Sequence, residues 1–175
     1  FVEEDVKLYI LCNPHNPGGR VWEKEVLEKV GQLCLKYGVL LVSDEIHQDF
    51  TYDKNKQISA LSLENGKYNS RLIVANSGSK TFNLASLVHA TLLIPDSKIR
   101  EQFDKYSKKN LGAEPSLLGQ IALEAGYREG DNWLNGLKET VIFNYNLLHD
   151  TLAKKIPEII VYPLEGTYLA FFSTH

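Results

Sequence analysis

Lys80 lies in the segment Ser77-Gly78-Ser79-Lys80-Thr81-Phe82-Asn83, directly after the largely apolar run Arg71 to Ala75. A lysine placed there can do covalent chemistry that a surface lysine cannot. An amine held partly out of water gives up its proton more readily, and the neutral amine attacks an aldehyde to form a Schiff base. By itself the segment is weak, because a lone lysine after a strand is usually surface decoration. Two upstream segments change its weight. Asp44 stands in Ser43-Asp44-Glu45-Ile46-His47, and Asn16 stands in Asn13-Pro14-His15-Asn16-Pro17-Gly18-Gly19. Each also has a bland reading, since an acid at a strand end is often a cap and Asn-Pro pairs often only turn the chain.

These residues need elements to bring them together. Val6 to Leu11 is a short apolar run bounded by turn formers, the pattern of a buried strand. From Glu23 to Tyr37 the apolar positions Val26, Leu27, Val30, Leu33 and Cys34 recur at helical spacing, and Gly38 supplies a C-terminal stop. Val39 to Val42 and Arg71 to Ala75 read as further buried strands, and Val88 to Ile94 as a fourth that Pro95 ends. Strand, helix and strand with uninterrupted apolar strands predict an α/β fold, a mostly parallel sheet flanked by helices. In such sheets ligands sit beyond the carboxyl ends of the strands. The three loops carrying Asn16, Asp44 and Lys80 all leave from those ends.

The second half reads as mainly helical. Asp96 is predicted to cap a helix through about Tyr106, Pro115 to open one through about Tyr127, and Asp131 to cap a long one through about Lys155. Ile159 to Tyr162 and Thr167 to Phe172 read as two strands of a second, smaller domain. The chain begins at Phe1 without a methionine and stops at His175 just after a strand-like run, so it is expected to be a piece of a longer protein.

The three loops match the needs of a pyridoxal 5′-phosphate site. That cofactor requires a lysine for its aldehyde, and an acid to keep its ring nitrogen protonated as an electron sink. It also requires donors for its phenolate oxygen and its phosphate. Lys80 meets the first need and Asp44 the second. Asn16 can donate to the phenolate, and Ser77 and Ser79 to the phosphate. His47, on the same loop as Asp44, can touch the cofactor.

With these motifs in this order, the chain resembles the fold-type I pyridoxal phosphate enzymes of aminotransferase class I/II, over essentially its whole length. Within them it is similar to the MalY/PatB-type cystathionine β-lyases. The shared features are the Cys-Asn-Pro-His-Asn-Pro opening, a His at position 47 where typical aminotransferases have Tyr, and Glu165-Gly166-Thr167-Tyr168-Leu169-Ala170. The resemblance implies an aspartate aminotransferase-like large domain over 1–130, then a connecting helix and the start of a smaller C-terminal α+β domain over 131–175. It implies Lys80 as the Schiff-base and proton-shuttling lysine, Asp44 as the partner of the pyridine nitrogen, and Asn16 as the phenolate donor. It further implies His47 beside that oxygen and Ser77 at the phosphate.

The resemblance also implies a C–S β-lyase acting on an amino acid, with a class I/II aminotransferase as the alternative and a non-catalytic regulatory domain as a remote one. Many aminotransferases carry a phosphate-binding Arg eight or nine residues after the lysine, where this chain has Val88 and His89; that gap favours the lyase. The substrate-carboxylate Arg and the ring-stacking aromatic of the family would lie outside 1–175, so the isolated chain is expected to be a poor catalyst. A homodimer is expected for the full enzyme.

Other classes fit poorly. Asp44-Glu45-Ile46-His47 spells a DExH box, but no Gly-x-x-x-x-Gly-Lys-Ser/Thr loop precedes it. A formal net charge of −3 gives no basis for nucleic-acid binding. No apolar span suits a membrane. Cys12 and Cys34 are too few for a disulfide framework or a zinc site. Lying in apolar runs, they are expected to be buried free thiols, which suggests a cytoplasmic setting.

Overall fold

A computed structural model describes residues 1, 3–52, 55–110 and 116–174. Its centre is a four-stranded sheet of β1 (Leu8–Cys12), β2 (Leu40–Asp44), β3 (Leu72–Asn76) and β4 (Thr91–Leu93), in that spatial order. β1, β2 and β3 run parallel, and β4 is antiparallel to β3. The register decides the site. Cys12 is level with Asp44, and Asp44 with Ala75, so the carboxyl ends of three strands form one rim.

The expected strand from Val88 to Ile94 shrinks to Thr91–Leu93. Val88 adopts a left-handed conformation (φ 46°) after a short 3₁₀ turn over Ala85–Leu87. A β-branched residue in that region cannot extend a strand. The three residues that remain are exposed at the sheet edge.

α1 (Lys24–Tyr37) packs its Leu27, Gly31 and Cys34 against the sheet, while Leu33 faces out. Gly38 ends it at φ 68°, its N–H reaching back to the carbonyls of Cys34 and Leu35. The core here joins Leu11, Leu41, Leu72 and Val74 of the strands to Leu27 and Cys34 of α1 and to Leu63 and Tyr68 beyond β2. Gly31 is required by packing, since a Cβ there would lie 2.8 Å from the Tyr68 ring.

α2 is a single turn, Gly78–Thr81, that carries Lys80. α3 (Ser97–Asn110) is capped by Asp96, whose Oδ1 accepts from the N–H groups of Lys98 and Ile99 at 3.0 Å each, and it outruns the expected end at Tyr106. The opening of α4 was expected at Pro115, which lies outside the described residues. α4 spans Leu117–Glu129, with Ser116 Oγ accepting from Gly119 N at 3.1 Å.

α5 spans Asp131–Lys155, as its pattern predicted, but Asp131 is not its cap. Gly130 ends α4 and opens α5, and Asp131 is the first helical residue, where its charge suits the helix dipole. The last strands are shorter than expected: β5 (Ile160–Val161) pairs antiparallel with β6 (Phe172–Ser173). The segment from Thr167 to Phe171 is not strand. Thr167 sits at φ 66°, and its N–H bonds Phe50 O at 2.9 Å, so its backbone serves the loop after β2.

A second core forms there. Phe50, Tyr52 and Leu164 are buried together, with Leu134, Leu137, Val141, Ile142 and Tyr145 of α5 packed against them.

Candidate functional site

The Asn-Pro turn is fastened before it reaches the rim. Asn13 is buried, its Oδ1 accepting from Trp22 N at 3.1 Å and its Nδ2 donating to Ile58 O at 3.3 Å. The indole N–H of Trp22 donates to Cys12 O at 3.0 Å. The Asn13–Pro14 and Asn16–Pro17 bonds are both cis. With its base held, the turn presents Asn16 exposed at its tip.

Asn16 meets His47, Nδ2 to Nε2, at 3.4 Å. His47 is 1% exposed, and its ring packs edge-on against Tyr168 at 5.2 Å between centroids. Burial pushes its pKa below the ordinary value, and the charge of Lys80 lowers it further, while Asp44 pulls it up. Both charged residues therefore sit close enough to act on the imidazole. A neutral ring that accepts from Asn16 at Nε2 carries its proton on Nδ1, an atom buried without a partner among the described residues.

Asp44 ends β2 partly buried, with Oδ1 accepting from Ile46 N at 3.3 Å. That long bond leaves most of the carboxylate's acceptor capacity free. Glu45, beside it, is fully buried and serves packing. Its Oε1 accepts from Ser43 Oγ at 2.9 Å and Ala60 N at 2.8 Å, in place of the basic neighbour that an exposed glutamate would seek. Cys12 differs from expectation. It is only partly buried, donates to Pro14 O at 3.2 Å, and has its thiol pKa raised by burial; Cys34 is buried as anticipated.

Ser77 caps α2, its Oγ accepting from Ser79 N at 3.2 Å. The Ser77 hydroxyl donates to His89 O at 2.8 Å and lies 2.6 Å from Ser79 Oγ. A hydroxyl has one proton. With Ser77's committed to His89, Ser79 donates in the serine pair and must leave that bond to turn toward a ligand. Lys80 follows, half-buried, and separates two cavities. One, of about 350 Å³, is lined by Lys80, Ser79, Asn83, Phe50, Trp133 and Tyr168 among others. The other, of about 320 Å³, is lined by Lys80, Ser77, Ser79, Ile46, Val88 and His89 among others. Lys80 thus has an aromatic space on one side and a hydroxyl-bearing space on the other.

The fold thereby brings Asn16, Asp44, His47, Ser77, Ser79 and Lys80 to one rim. Sequence reasoning missed three contributors. Asp49 receives the hydroxyls of Thr81 at 2.7 Å and Tyr127 at 2.9 Å, and nothing in its spacing announces this. Tyr168 and Trp133 line the aromatic cavity from the second half of the chain; Tyr168 was visible only as part of a matching motif. Among the described residues no group of three His, Cys, Asp or Glu could hold a metal ion, and no helix is long and apolar enough to cross a membrane.

Comparison with known proteins shows which family the chain resembles along its length. The chain is 35% identical over 167 residues to the cystathionine β-lyase PatB of Bacillus subtilis, covering 95% of this chain and 43% of that protein. It is 32% identical over 172 residues to the protein MalY of Escherichia coli, covering 98% of this chain and 43% of MalY. Cystalysin of Treponema denticola, whose crystal structure contains a pyridoxal 5′-phosphate cofactor, superposes with a TM-score of 0.91 at 34% identity, over 95% of this chain and 42% of cystalysin. The chain therefore spans about two-fifths of the length of these relatives. Residues 2–174 match the family described as Aminotransferase class I and II, and with that match across nearly its whole length the chain belongs to this family.

Proposed function

We propose that the full-length protein is a pyridoxal 5′-phosphate-dependent carbon–sulfur β-lyase of the cystathionine β-lyase type. The observation that carries the reading is the shared rim: a half-buried Lys80, a largely free Asp44 carboxylate and a neutral His47 facing Asn16, set level by the strand register. The residues suit the cofactor, because a lysine, an acid with acceptor capacity to spare and hydroxyl and amide donors share one rim, and Lys80 lines a cavity on each side. Bound pyridoxal 5′-phosphate supplies an electron sink for the pair left when an α-proton departs.

Each residue has a distinct task. Lys80 would hold the cofactor's aldehyde, and its neutral amine would take the substrate's α-proton. Asp44 would keep the pyridine nitrogen protonated. Asn16 and His47 would serve the phenolate oxygen, and Ser77 and Ser79 the phosphate. When the substrate carries sulfur on Cβ, the C–S bond breaks, the sulfur leaves as a thiolate, and hydrolysis of the remainder gives pyruvate and ammonia. Reprotonation without a leaving group would give transamination, the reading that the family's aminotransferase members support. Val88 and His89 in place of a phosphate-binding Arg favour the lyase.

We extend the proposal to a homodimer acting in the cytoplasm. We also divide the chain into a part of the large domain over 1–130 and the start of a small domain over 131–175. The decisive assay is pyruvate release from cystathionine by the full-length protein, set against keto-acid-dependent transamination. Faster pyruvate release is expected, and faster transamination would reverse the assignment. Borohydride reduction of the loaded protein should fix the cofactor on the peptide containing Lys80.

A further inference from the structure

We infer that Asp49 is a positioning residue for Lys80, acting through the hydroxyl of Thr81. The inference rests on the reading of Lys80 as the cofactor lysine. α2 has four residues, too few to hold a helical turn by its own hydrogen bonds. Its position must come from ties to its surroundings. At the start, Ser77 caps the turn and bonds His89 O. At the end, Thr81 is fully buried and donates to Asp49 Oδ2 at 2.7 Å. Thr81 is the next residue after Lys80, so this bond fixes the backbone from which the lysine side chain springs.

Asp49 lies on the segment that follows Asp44 and His47. Its bond to Thr81 therefore couples the loop presenting those two residues to the turn presenting Lys80. A second hydroxyl, from Tyr127 of α4, reaches the same oxygen at 2.9 Å. Burial first, and the Asp49 charge next, raise the Tyr127 pKa, so the phenol stays a donor. Two donors on a carboxylate oxygen hold it in one orientation. The Tyr127 ring is separately seated edge-on against Phe82 at 5.1 Å. Removing its hydroxyl leaves both the ring and the Thr81 bond in place.

This difference sets the test. Cofactor dissociation constants and the visible circular dichroism of bound pyridoxal 5′-phosphate are measured on the full-length protein, with melting of the cofactor-free form alongside. Asp49→Ala and Thr81→Val are expected to weaken cofactor binding at least tenfold and to halve the dichroic band per bound cofactor. Thr81→Ser, which restores the donor, and Tyr127→Phe are expected to stay within threefold of wild type. Losses that are equal in all four variants, or that follow the cofactor-free melting temperature, would overturn the inference in favour of a merely structural tie. Wild-type protein that fixes the cofactor on a lysine other than Lys80 would overturn the underlying reading, and the inference with it.

Discussion

His47 illustrates how a side chain is given one job by its surroundings. Burial and the nearby Lys80 charge hold its folded pKa below the unfolded value near 6.5, with Asp44 opposing. On acidification the unfolded chain takes up the proton first. The stability contributed by the neutral ring is therefore complete above pH 6.5 and is lost as pH falls through the folded value. Replacing His47 by Gln should flatten the fall in melting temperature between pH 7.5 and pH 5.5 in the full-length protein; a variant with the wild-type slope would remove His47 from this role. Asp44 makes a different prediction. Removing one preorganised oxyanion-hole donor costs on the order of 10²–10³ in rate, and Asp44, as the ring-nitrogen partner in the proposed site, is assigned a loss of the same order. Asp44→Ala should thus lose about two orders of magnitude in turnover with a melting shift of only a few degrees, checked by steady-state kinetics beside calorimetry. At this scale residue type was legible and protonation was not. The tautomer of His47 depends on Asn16, thirty-one residues away in sequence.

Local chemistry decides most of the secondary structure. The Gly38 stop, the Asp96 cap and the apolar periodicity of α1 appear where sequence reasoning puts them. The errors fall where a tertiary contact competes with local preference. Thr167 to Phe171 has strand-forming residues, yet the backbone turns through φ 66° at Thr167 to bond Phe50. Gly166 makes that strap possible. Its N–H donates to Gly19 O at 2.8 Å, and a Cβ there would lie 2.6 Å from Pro14 Cβ and 3.0 Å from Phe50 O. Neither a proline ring nor a backbone carbonyl can easily yield. Gly166→Ala should destabilise the protein by about 1–3 kcal/mol, the usual cost of overpacking, as read by chemical denaturation.

Among the described residues two cores form. One seals α1 on the sheet, and the other seats α5 and the last loop on Phe50 and Tyr52. Phe50 is fully buried at the centre of the second, beside His47 and Tyr168. Phe50→Ala should cost about 3–5 kcal/mol and open the aromatic cavity beside Lys80, so stability and cofactor affinity should fall together. The outer face of α5 and the start of α4 tell a different story. Phe143 is 67% exposed, Leu118 66% and Leu147 59%. Contact with another surface would bury these side chains if they form one contiguous patch. The 175-residue chain alone should bind a hydrophobic dye more strongly, per mole, than the full-length protein, and equal binding would argue that these faces stay open in both.

The sequence by itself determined what is encoded over short separations. It set the three parallel strands and α1, the Gly38 stop and the Asp96 cap, and the identities of Lys80, Asp44 and Asn16 at strand ends, because helical period, strand runs and turn chemistry act within a few residues. Only the tertiary structure decided how those residues are held. Thr81 and Tyr127 reach Asp49 across 32 and 78 positions. Tyr168 packs on His47 from the far end of the chain. Such contacts depend on strand register and on how α4, α5 and the final loop fold back, and no local pattern records them.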